Sequence, residues 1–172
     1  MPTKPSDGER TARTVQIKPA SLGSISTGTL RTEDLLEAFG KELEWQIRRS
    51  GDFFSLPENF GQRDSLNNLV GEWQDAYSGD GTEIREDVDA DSLLSDLEDA
   101  LQAFAPFYCR FGAHDGDGAD FGFWPCWSEI DELPTVDGSD AARELGEDCK
   151  SVNDHGNVTV YGGDGSIILE LV

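Results

Sequence analysis

The chain has 172 residues, with 35 acidic residues against 13 basic ones and a formal net charge of −22. That balance argues against nucleic acid or an anionic membrane as a direct partner, because phosphates demand a basic footprint. No apolar run approaches the roughly 20 residues of a membrane helix, and three cysteines without a CxxC pair argue for reduced thiols rather than a disulfide framework.

The acidity is unevenly placed. Residues 1–50 hold eight bases and seven acids, whereas residues 51–172 hold five bases and 28 acids, a net of −23. The excess therefore belongs to the predicted folded body and not to a tail. It leaves cations, basic proteins or nothing at all as partners, and the reduced thiols make the cytoplasm the expected compartment.

In chain order, residues 1–29 mix Pro, Ser, Thr, Gly and Lys with few large apolar groups and read as a flexible arm, with at most a short edge strand at residues 14–18. The stretch opens on basic residues without an apolar core, so no signal peptide is expected. A first helix spans about Thr32–Arg49, with Thr32 as N-cap, Glu33 and Asp34 in the first turn and Gly51 as terminator. Leu35, Leu36, Phe39, Leu43 and Ile47 recur at helical spacing. Residues 52–62 form an aromatic connector around Pro57. A second helix runs over about Asp64–Tyr77, and the run SGDGTE breaks the chain. A third helix runs over about Asp91–Phe104, closed by Pro106.

From there the periodicity changes to that of strands. FYCRFGAH (107–114) and DFGFWPCW (120–127) predict a hairpin around a longer, Gly-rich loop, with most of its aromatics in the core and Trp127 a candidate contact residue. A short helix is expected at about Ser139–Gly146. A three-stranded meander follows, with turns at Asp154-His155-Gly156 and Gly163-Asp164-Gly165. Helices first and antiparallel strands after make an α+β domain over residues 30–172, with the helices packed on one sheet of about five strands.

Three constellations bear on chemistry. In the loop HDGDGAD, His114, Asp115, Asp117 and Asp120 offer oxygen and imidazole ligands. With Asp154 and His155 of the second turn they would make a mixed metal or small-molecule site, provided that the two turns meet. The EF-hand spacing is absent, and Asp and Gly are equally the ordinary formers of turns. Cys109 and Cys126 lie among aromatics and read as buried structural thiols. No G-x-S-x-G, Walker A or dinucleotide fingerprint is present, so neither a catalytic residue nor a cofactor is expected.

The third constellation is the acidic stretch itself: Glu72, Asp75, Asp80, Glu83, Glu86, Asp87, Asp89, Asp91, Asp96, Glu98 and Asp99, interrupted by Arg85 alone among bases. Carboxylates on a rigid helix present charge as duplex phosphates do, at about one per 1.7 Å of axis. Such a surface would occupy the basic groove of a nucleic-acid-binding protein. A solvated face kept for solubility is the other reading.

The stretches FGAHDGDGADFGFW (111–124) and VNDHGNVTVY (152–161) resemble an uncharacterised protein family of tailed phages, prophages and planctomycete-type bacteria. The stretches around GTLRTEDLLEAF and SLPENFGQRDSLNNLVGE are also similar, so that the likeness covers most of residues 28–161. It implies a mobile-element accessory protein and places His114, Asp117, Asp120, Asn153, Asp154 and His155 in a shared signature. Cys109 and Cys126 depart from that pattern, which weakens a thiol mechanism. The expected function is an acidic inhibitor of anti-defence type, a DNA mimic that blocks a basic host protein. The alternatives are a metal- or small-molecule-binding domain and a non-catalytic regulatory interaction module.

Overall fold

In a computed structural model, which describes residues 16–78 and 83–172, the α+β class is as the patterning predicts. Helix α1 (Thr32–Arg49) buries Leu35, Leu36, Phe39 and Leu43 along one stripe, with Glu33 and Asp34 at its start and Arg48 and Arg49 at its end. Its cap differs from expectation: Arg31 stands at the N-cap position without a side-chain bond. Thr29 organises the entry instead, accepting from the Arg31 amide at 3.1 Å and donating to Asp34 at 2.7 Å. Gly51 does not terminate the helical run, since a further turn, α2 (Gly51–Phe54), follows and buries Phe54.

A 3-10 turn over Pro57–Asn59 leads into α3 (Phe60–Asp75), which starts four residues before the predicted boundary and buries Leu66, Val70 and Trp73. Helix α4 (Ala90–Gln102) buries Leu93, Leu97 and Leu101. Its cap is Asp89, whose carboxylate accepts from the Ser92 amide at 3.1 Å. These helices share one core with the sheet aromatics: Phe39 meets Phe111 edge-on at 4.9 Å, and Phe111 meets Phe123 at 5.0 Å.

The strands do not form one sheet. β1 (Gly23–Thr27), β2 (Cys109–His114) and β3 (Asp117–Pro125) make an antiparallel sheet in the order β1-β3-β2. β4 (Cys149–Val152), β5 (Val158–Tyr161) and β6 (Ile167–Leu171) make a second, in sequence order, as the predicted meander. The chain leaves β3 at Pro125 and turns through α5 (Trp127–Glu132), which brings Ile130 into a second core with Cys109, Val158, Val160 and Leu169. Helix α6 (Gly138–Leu145) ends at Gly146 in the left-handed conformation.

The expected arm also differs from the structure where the structure describes it. Residues 1–15, and with them the first two residues of the proposed 14–18 strand, lie outside the described residues, and residues 16–18 are described but form no strand. Residues 23–27 form β1 and pair with β3, and Ala20 is buried with its amide donating to Phe104 O at 2.8 Å. The sequence GSIST carries no alternating apolar signal; what admits it is Gly122 of β3. A Cβ there would stand 2.0 Å from the carbonyl oxygen of Gly23. No helix among the described residues is long and apolar enough to cross a membrane.

Candidate docking groove

The end of α3, the connector that follows it and the first half of α4 enclose an open groove of about 340 Å³. Ala76 and Leu93 are buried and Val88 half-buried, giving an apolar floor. Glu72, Asp75, Asp89 and Asp96, all exposed, supply four carboxylates from three separate elements. The connector is held by an antiparallel bridge between Tyr77 and Ile84, with Ser78 N donating to Glu83 O at 2.7 Å and Arg85 N to Ala76 O at 2.9 Å.

Among the described residues, Arg85 is the one cation lining this groove. Its guanidinium donates to the Asp75 carbonyl at 3.0 Å and to both carboxylate oxygens of Asp87. That bond holds the Asp87 carboxyl below its usual range and the guanidinium above its own. The same commitment holds for every base after residue 50. Arg63 pairs with Asp64, Arg110 with Asp115, Arg143 with Asp140 and Lys150 with Asp131. Each cation of the acidic body is thus engaged by a carboxylate close to it.

The other predicted acids divide among several surroundings. Glu83, Glu86 and Asp87 are exposed on the connector, and Asp99 is exposed on α4. Asp91 accepts from Thr32 Oγ1 at 3.3 Å, tying the start of α4 to that of α1. Glu98 turns the other way, half-buried beside Gly112 of β2, where burial, and then Asp99, raise its pKa. Asp80 lies outside the described residues.

The His–Asp segment is a tight turn and not the longer loop expected. His114 pairs across the ladder with Asp117, so Asp115 and Gly116 alone form the reversal, and Asp120 sits in β3 opposite Thr27. Local bonds use these side chains. His114 Nδ1 accepts from the Gly116 amide at 3.0 Å, Asp117 from the Ala119 amide at 3.0 Å, and Asp115 pairs with Arg110. The His114 ring stands edge-on to Trp124 at 4.7 Å. Asp154 and His155 are exposed in the β4–β5 turn of the other sheet, where the Asn153 carboxamide oxygen accepts from the amides of His155 and Asn157. Among the described residues, no three His, Cys, Asp or Glu side chains gather as metal ligands.

The thiols are free, and burial raises all three above the ordinary value, Cys109 to about 12. Phe111 and Phe123 are core, as expected for the hairpin aromatics, but Phe107 is 73% exposed; Trp127 is 45% exposed. The acids were legible in the sequence as a cluster, but the apolar floor beneath them was not. Val88 lies in a polar connector, and Leu93 reads simply as part of the α4 stripe. Comparison with family models, with curated proteins and with solved structures returns no match.

Proposed function

We propose that the chain is a protein-binding inhibitor that docks a basic, nucleic-acid-binding protein against the α3–α4 groove and competes with that protein's polyanionic ligand. The observation that carries this reading is the convergence of Glu72, Asp75, Asp89 and Asp96 over an apolar floor, in a body whose cations are all engaged. An apolar floor beneath a carboxylate rim suits the aliphatic stems and charged heads of Arg and Lys, so the groove supplies contact area as well as field.

The test is association with purified host nucleases, glycosylases and nucleoid proteins at low salt. Binding to one of them that falls steeply with ionic strength is expected. Asp75→Asn with Asp96→Asn should weaken it by about 1–3 kcal/mol. Glu144→Gln with Glu170→Gln, which removes the same charge from exposed sites elsewhere, should leave it nearly unchanged. Equal losses in the two double variants would reduce the interaction to net charge and sink the groove.

A further inference from the structure

Among the described residues, the dipeptide Asp-Gly occurs at Asp115, Asp117, Asp137 and Asp164. Glycine adds no Cβ beside its own nitrogen, so Asp-Gly is the least hindered setting for attack of a main-chain amide on the preceding carboxyl. The reaction needs that amide and that carboxyl free of other bonds, because a hydrogen bond to either must break first.

At three of these sites the groups are engaged. Asp115 is paired with Arg110, and the Gly116 amide donates to His114 Nδ1 at 3.0 Å. Asp117 accepts from the Ala119 amide at 3.0 Å. Asp164 accepts from the Ser166 amide at 2.8 Å, and the Gly165 amide donates to the Gly162 carbonyl at 2.8 Å. The hydrogen bonds from Ser166 also hold the Asp164 carboxyl below its usual range, away from the protonated form that can lose water.

Asp137 and Gly138 differ from all three. Asp137 is exposed at the N-cap position of α6 and makes no capping bond. The Gly138 amide opens the helix, where the first N–H groups lack an intrahelical acceptor, and it finds no other acceptor among the described residues. Gly138 holds a φ of +81°, and a Cβ built on it would meet nothing within 4 Å, so there is room for a ring to close.

We propose that Asp137–Gly138 is a site of spontaneous isomerisation in the folded chain. The Gly138 nitrogen bonds to Asp137 Cγ, and the carboxyl hydroxyl leaves with the amide proton as water, closing a succinimide. Water then opens the ring at the former main-chain carbonyl, which becomes a free carboxylate, and the chain thereafter runs through Cγ as isoaspartate. Water is the only co-reactant. The added methylene falls between Val136, whose amide donates to Lys150 O at 2.8 Å, and Ser139, whose carbonyl lies against Gly165. The site is apart from the docking groove and stands or falls without it.

The test ages the full chain at neutral pH in ¹⁸O-water, folded and in urea, and follows isoaspartate at each of these peptides by proteolysis and electron-transfer fragmentation. In the folded chain Asp137 should convert at least about tenfold faster than Asp115, Asp117 or Asp164, the penalty for first breaking a hydrogen bond to a charged group. In urea the rates should draw together, since the reacting dipeptide is the same at every site. The proposal is overturned if any of the other three converts as fast as Asp137 in the folded chain. It is equally overturned if the same spread of rates persists in urea, which would assign the selection to neighbouring sequence and not to the fold.

Discussion

Gly40 of α1 and the indole of Trp73 adjoin so closely that a Cβ on Gly40 would lie 2.1 Å from Cδ2 of the ring. The indole is buried and cannot withdraw without opening the α1–α3 contact. Gly40→Ala should therefore destabilise the fold by about 1–3 kcal/mol, the usual cost of overpacking a filled core. Urea unfolding followed by tryptophan fluorescence checks this, and a midpoint equal to the wild type's would contradict it.

A comparable contact holds β1. Gly122→Ala would drive a methyl into the Gly23 carbonyl, whose atoms are backbone and have no rotamer to adopt. The amides of residues 23–27 should lose hydrogen-exchange protection while those of β5 keep theirs, because β5 belongs to the other sheet.

These two glycines also show what the sequence could and could not reveal. The helices were readable because Leu35, Phe39 and Leu43, or Leu93, Leu97 and Leu101, repeat at helical spacing. The meander was readable because β-branched runs alternate with turn residues. β1 was not readable, since its pairing depends on the absence of a side chain on a strand about a hundred residues away. Nor was the division into two sheets, which follows from the Pro125 exit and the short α5. In the candidate site, the acids were visible, but their gathering on one groove is set by the α3–α4 contact and by the connector bridge.

Tyr108 joins the two halves of the molecule. It holds a positive φ of 62° and donates from its hydroxyl to Asp148 at 2.7 Å, just before β4. Burial, then the Asp148 bond, push its pKa up from 10.0 to about 12. A phenol raised in the folded state contributes stability fully present below the unfolded value and lost as pH rises through the folded one. The midpoint of the wild type should thus fall relative to that of Tyr108→Phe between pH 10 and 12. Parallel curves over that window would contradict the assignment.

Asp89 serves both the fold and the groove, and the two roles separate. Asp89→Ala removes the cap of α4 and should cost about 1 kcal/mol. Asp89→Asn keeps an oxygen for the Ser92 amide and should leave stability within about 0.5 kcal/mol of the wild type, Asn and Asp being equivalent caps. It still removes a groove charge, so thermal unfolding should be unchanged while affinity for the basic partner drops.

The most direct measurement of the central claim is competition. A fluorescent duplex is bound to the basic partner identified by association, and the chain is titrated in. The account predicts displacement of the duplex by the wild type at low salt, and by Glu144→Gln with Glu170→Gln at nearly the same concentration. Asp75→Asn with Asp96→Asn should need about tenfold more, or greater. Retention of the duplex at saturating chain, or equal displacement by the groove variant, would contradict it.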